Sequence, residues 1–218
     1  MSLASFQRAL CDLIASPDLC VRLTHAPEEV LPNYDLSPRE RRRLVGVVRQ
    51  PGMSTTCTLY RVNRITPLYT LMPLTSFLLG DRLIAEAEAY WAEFPGSDLQ
   101  FRLEVERFAG FLQGRLRTGQ LEDPYLEEVI EFETAAAALR YASPRVGSDA
   151  LIRAVRFRHD PELLLRLLID RRRPSQVPAM DSVVELDARG GLLELRIVRR
   201  DAEARPPAIV ADRVLTGS

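Results

Sequence analysis

Leu151-Ile152-Arg153-Ala154-Val155-Arg156-Phe157-Arg158 is where the chain changes period. Before it, apolar residues recur every three or four positions, as on helices. Here Val155 and Phe157 alternate with Arg156 and Arg158, as on a half-buried strand. His159-Asp160-Pro161 then reads as a helix start, and the helix Glu162 to Asp170 runs into Arg171-Arg172-Arg173-Pro174. Ser182 to Asp187 and Leu192 to Val198 alternate as two further strands, joined through Ala188-Arg189-Gly190-Gly191 as a hairpin. Ile209 to Leu215 is a candidate additional strand. The pattern predicts an α+β chain: an N-terminal helical bundle followed by a small C-terminal antiparallel sheet with one helix. The expected domains are 1–142 and 148–218.

Upstream, turn formers divide the helical body. Leu3, Phe6, Leu10, Leu13 and Ile14 recur at helical spacing, and Ser16-Pro17 stops that helix and starts the next. Ser37-Pro38-Arg39-Glu40 carries a serine cap, a proline in the first turn and a glutamate three residues after the cap. Residues 1–49 thus read as a small helical module, and Gln50 to Thr56, with turn formers and no periodicity, as a linker. In the bundle at 57–142, Thr66-Pro67 is expected to open a segment that Gly80-Asp81 ends. Ser97 to Gln100 reads as a capping box, and Asp123-Pro124 as the cap of a last helix through Leu139.

Composition excludes several chemistries. All 29 basic residues are arginine, so a Schiff-base lysine or a phosphate-loop lysine is impossible in this chain. The two histidines, His25 and His159, are too few for a histidine-rich metal cage. No serine-elbow, zinc-helix, paired-cysteine or dinucleotide-loop motif occurs. No catalytic residue, metal ligand or cofactor is expected here. With 46% hydrophobic residues and a net charge of −1, the composition is that of a soluble globular protein. No apolar run reaches the roughly 18–20 residues of a membrane span. The N-terminus lacks the order of a signal peptide, and Cys11, Cys20 and Cys57 fit a reducing compartment, so the cytoplasm is the expected location.

The remaining candidates are weighed against plainer roles. His159-Asp160 could be an acid–base pair, but Asp before Pro at a helix start is a cap by default. Arg41-Arg42-Arg43 and Arg171-Arg172-Arg173 could meet phosphates, which makes a DNA-binding regulatory module the alternative from another class. A pI of about 6.2 favours a solvated face or an acidic protein partner instead. Residues 151–218 carry thirteen arginines against ten carboxylates, whereas Asp81 to Tyr141 carries thirteen carboxylates against six arginines. Such opposed polarity suits a protein contact; neither nucleic acid nor membrane is an expected partner. Most of Glu127, Glu128 and Glu131 are expected in solvent. Glu133, among Ile130, Ala136 and Ala137, is expected to be buried with an arginine partner. Cys11 is expected in the core, and Cys20 and Cys57 have no activating histidine nearby in sequence.

Four stretches together resemble a known family. They are Leu59-Tyr60-Arg61-Val62-Asn63-Arg64, Pro73 to Asp81, Ala89-Tyr90 with Pro95 to Phe111, and Asp123-Pro124-Tyr125-Leu126 with Phe132-Glu133. The family is the partner proteins encoded beside multinuclear non-haem iron-dependent oxidative (MNIO) enzymes, which modify ribosomally made peptides. Those of methanobactin and thia-glutamate biosynthesis are examples. Thr134 stands where the family carries a tryptophan. The resemblance implies structural motif roles for Tyr60, Arg61, Asn63 and Glu133. It also implies a non-catalytic subunit that forms a heterodimer with the oxidase, with the iron held by that enzyme. The subunit would bind the leader of a cysteine-containing precursor peptide, whose cysteines become oxazolone and thioamide groups in the methanobactin case. A partner for a different cysteine-modified or copper-binding peptide is the alternative.

An edge strand of the small sheet is where an extended peptide would add. The expected site takes Val183, Val184 and Leu186 from one strand and Leu193, Leu195 and Ile197 from the other. Arg189, Arg196 and Arg199 lie near the hairpin, placed to grip acidic leader residues. The sequence leaves open whether Ile209 to Leu215 covers that edge.

Overall fold

The computed structural model describes residues 3–96, 101–142, 148–199 and 209–210, so the capping box expected at 97–100 lies outside the described residues. Backbone contacts divide the chain into two units that interleave along it: residues 1–66 with 88–99, and residues 67–87 with 100–218. The second unit keeps the helices from residue 100 onward with the sheet, where the sequence pattern separates them at 142/148.

In the first unit, α1 (Leu3–Ala15), α2 (Pro17–His25), α3 (Pro27–Val30) and α4 (Pro38–Val48) surround a core that includes Ala9, Leu13, Leu23 and Leu44. Two caps are those the sequence announces. Ser16 accepts from the Leu19 amide, and Ser37 and Glu40 make a reciprocal box in which the Ser37 amide donates to Glu40 Oε2 at 2.8 Å. Cys11, expected in the core, is exposed. Ala9 and Leu13, four residues apart, turn the same face of α1 inward, and position 11 falls on the other side.

The linker expected at Gln50 to Thr56 is instead the start of a long helix, α5 (Pro51–Leu71). Proline lacks an amide hydrogen and suits a first turn. Thr56 and Thr58 return their hydroxyls to the carbonyl oxygens of Gly52 and Ser54 at 2.9 and 3.0 Å, so the polar run needs no partner outside the helix. Met53 and Cys57, four apart, are buried and anchor that turn on the core. Pro67, expected to open a new segment, lies inside the same helix.

The second unit holds α6 (Pro73–Leu79), the first half of α7 (Arg82–Glu93), α8 (Phe101–Arg117) and α9 (Leu126–Arg140). Gly80 ends α6 at φ +54°, and a side chain there would collide with the Arg173 guanidinium. α9 is buried over most of its surface, through Leu126, Val129, Ile130, Phe132, Ala136 and Leu139, and leaves Glu131 in solvent. It starts at Leu126 rather than at the expected Asp123-Pro124 cap. The Asp123 side chain accepts from the Tyr125 amide at 2.9 Å and so stabilises a turn before the helix, not its first residue.

An antiparallel sheet follows, ordered β1-β2-β3-β4: β1 (Ile152–His159), β2 (Ala179–Asp187), β3 (Glu194–Arg199) and β4 (Ile209–Val210). Val155 and Phe157 are buried while Arg156 and Arg158 are exposed, as the alternation predicts. Phe157 meets Phe132 of α9 edge-on, with ring centres 6.1 Å apart. β1 and β2 pair regularly from Ile152↔Asp187 to Phe157↔Ser182, and the register shifts before His159↔Ala179. Between them runs α10 (Pro161–Ile169), capped by Asp160, whose Oδ1 accepts from the amides of Glu162 and Leu163 at 3.0 and 3.2 Å. The fold is α+β, with helices before the sheet and one helix within it.

Candidate functional site

Alternation along β2 and β3 sorts the expected peptide-site residues into two faces. β2 and β3 pair as Val184↔Ile197 and Leu186↔Leu195, and this set faces inward: Val184 and Leu186 are fully buried and Leu195 nearly so. Val183 pairs with Val198 on the other face, and Arg196, opposite Glu185, is exposed there. Leu193 precedes β3, in the connection from β2. Arg189 is not poised for a partner's carboxylate. Its Nε lies 3.0 Å from both oxygens of Asp187, and this guanidinium holds the Asp187 carboxyl down to about 2. Arg199 ends β3, and nothing of its side chain is described.

The inward set does more than fill a core. Val184, Leu195 and Ile197 form one wall of an apolar cleft of about 110 Å³, and Pro161, Leu165 and Ile169 of α10 form the other. Glu162 and Arg166 stand at its lining, ion-paired at 2.7 Å one helical turn apart. The α10 residues were not among the expected site residues, although Leu165 and Ile169, four apart in an apolar run, carry the signal. Beside the cleft, β4 pairs with Leu195 and Arg196 through Val210 and Ile209. Along Ile197 to Arg199, β3 has β2 as its neighbour among the described residues. Residues 211–215 of the expected last strand lie outside the described residues. On the opposite edge, the Arg158 amide of β1 is already taken by Glu128 Oε2 of α9 at 2.7 Å. Main-chain donors and acceptors next to an apolar cleft are what an added strand with one anchoring side chain requires.

The motif residues hold helices together. Tyr60 Oη and Arg64 Nη1 both donate to the Pro95 carbonyl, at 3.0 and 3.3 Å. Arg64 is 2% exposed, with its guanidinium 5.2, 5.5 and 6.0 Å from the ring centres of Tyr90, Trp91 and Tyr60. Arg61 is ion-paired with Glu88 at 3.5 Å, and Asn63 is exposed. The residue that organises this motif is therefore Arg64 rather than Asn63. Glu133 is fully buried, but its first partners are backbone amides and not an arginine. Leu74 and Thr75 donate to Oε1 and Oε2 at 2.7 Å each, and Arg171 adds only a longer-range attraction. Burial nevertheless pushes its carboxyl up to about 7.

His159 and Asp160 do not act as a pair. Asp160 caps α10, while His159 Nδ1 sits 2.8 Å from Glu128 Oε1 and its ring meets Tyr125 edge-on. Glu128, expected in solvent, is buried because it serves both His159 and the Arg158 amide. The arginine run at 171–173 is exposed yet engaged: Arg171 donates to the Pro73 carbonyl at 3.3 Å and stacks on Phe77. Among the described residues, no three His, Cys, Asp or Glu side chains cluster as metal ligands would, and no helix is long and apolar enough to cross a membrane. No protein-family model matches the chain, and no curated protein matches it significantly.

Proposed function

We propose that this chain is a non-catalytic partner subunit of an iron-dependent oxidase. It would bind the leader of a ribosomally made, cysteine-containing precursor peptide and hold its core at the enzyme. The reading begins from the resemblance to MNIO partner proteins and is supported by one observation above all. Ile197, where β3 runs on past its pairing with β4 among the described residues, lines an apolar cleft of about 110 Å³ between the sheet and α10. An extended leader adds to β3 through main-chain hydrogen bonds, which are indifferent to sequence, and places one apolar side chain in the cleft, which is not. Arg196, exposed near the same edge, attracts acidic leader residues. The cysteine chemistry belongs to the iron of the partner enzyme.

The test is binding of a fluorescently labelled leader, taken from a precursor gene beside this one, measured by anisotropy. Single prolines at Ile197, Val198 and Arg199 remove one amide each, and those whose amide faces the peptide should abolish binding while circular dichroism stays native. Native leader affinity in every folded variant would put the site elsewhere.

A further inference from the structure

Cys20 of α2 and Cys57 of α5 belong to different helices, yet both thiols point at one atom. Cys20 Sγ donates to the Leu13 carbonyl at 3.0 Å, and Cys57 Sγ lies 3.7 Å from the same oxygen. Burial, with the Cys57 thiol beside it, pushes the Cys20 thiol up to about 12. Met53 stands one helical turn before Cys57, on the same face of α5. All three sulfur side chains line a single pocket of about 390 Å³ in the first unit.

Two hydroxyls of that lining are turned away from it. The Thr24 and Thr58 hydroxyls donate to carbonyls of their own helices, those of Cys20 and Ser54, at 2.9 and 3.0 Å. Arg61 lines the pocket too, and its buried Nε has no hydrogen-bond partner.

We propose that Cys20, Cys57 and Met53 form a binding site for a soft monovalent cation, Cu(I) in a cell and Ag(I) as its stand-in. Thiolate and thioether sulfurs select such ions, which accept two or three ligands. Zinc and ferrous iron ask for a fuller set of about four or more ligands, which two thiols and a thioether do not supply. On binding, each thiol releases its proton and forms a bond to the cation, whose oxidation state does not change. The resulting cation–dithiolate carries one net negative charge, and the Arg61 guanidinium at the pocket wall offsets it. This site is independent of the peptide-binding reading.

The experiment titrates Cu(I) into the full chain without oxygen, in competition with a chromophoric Cu(I) chelator, and repeats it with Ag(I) by native mass spectrometry. One cation per chain is expected. Cys20→Ser and Cys57→Ser should each weaken binding by at least about 100-fold and Met53→Leu by about tenfold, with Cys11→Ser unchanged. Met53→Leu preserves the core volume, so it reports on the site even if a serine variant fails to fold. The proposal is overturned if the chain does not compete for one equivalent. It is equally overturned if Cys11→Ser removes the binding, or if copper leaves a Cys20–Cys57 disulfide behind and no bound ion.

Discussion

Replacing Glu133 by glutamine tests which of two opposed effects governs a buried carboxyl. Its two oxygens each accept a backbone amide at 2.7 Å, from Leu74 and Thr75, which favours the carboxylate. Complete burial favours the neutral acid and outweighs them, raising the pKa from 4.5 to about 7. Unfolding returns the group to its ordinary range, so between these values the native state binds the extra proton. Glu133 therefore contributes stability that is complete below pH 4.5 and is lost as pH rises through 7. The amount is about 3 kcal/mol, at about 1.4 kcal/mol for each pH unit of displacement.

Glutamine cannot ionise. The stability difference between wild type and Glu133→Gln, measured by urea denaturation from pH 4.5 to 8, should therefore move by about 3 kcal/mol against the wild type. Groups common to both proteins cancel in that difference. The variant's own cost, one helix-end amide facing an NH₂ instead of an oxygen, is about 1–3 kcal/mol and does not change with pH. It sets the offset and not the slope. A difference that stays flat, or that moves in favour of the wild type, would refute the reasoning, because the two amides would then outweigh burial.

Other outcomes are as concrete. The chain purified alone should contain no stoichiometric iron by plasma mass spectrometry, and tight iron at one per chain would contradict the proposed division of labour with a separate oxidase. On the proposed reading, co-expression with an MNIO-type oxidase should give co-elution at low salt and separation as salt rises, because modest opposed charges would steer such a contact. Ser37→Ala removes one half of a reciprocal cap and should cost about 1 kcal/mol in urea denaturation, with no change in leader binding. Gly80→Ala forces a side chain onto a φ of +54° and against Arg173, and should lower the melting temperature by several degrees, more than alanine at Gly119, where φ is also positive but the space is open.

The sheet was legible in the sequence because one face of each strand meets the core and the other meets solvent. Val155 and Phe157 against Arg156 and Arg158 can mean little else. The start of α5 was hidden because Pro, Gly, Ser and Thr compose loops on average. What makes them a helix here is the burial of Met53 and Cys57 on a core built by α1 to α4, which no local window contains. Arg64 was passed over for a similar reason: Tyr60 is one turn away, but Tyr90 and Trp91 come to it from a different helix, α7. Glu133 was expected to be buried, since its neighbours are apolar. Its partners could not be named, because two backbone amides sixty residues upstream leave no mark in side-chain composition. The inward strand residues were foreseen and the helical wall of their cleft was not, since alternation says which side chains turn inward but not what they meet.

The interleaving of the two units bears on how such a chain can change over evolutionary time. Residues 88–99 return to the first unit after 67–87 have begun the second, so no single crossover leaves both intact. A recombination at residue 142 would deliver the sheet to a new host without Phe132 to meet Phe157 and without Glu128 to hold the end of β1. A recombination at residue 66 would strand Arg64 without Tyr90 and Trp91. Shuffling of gene fragments is thereby closed to this architecture, and it must be inherited, duplicated or lost as one piece.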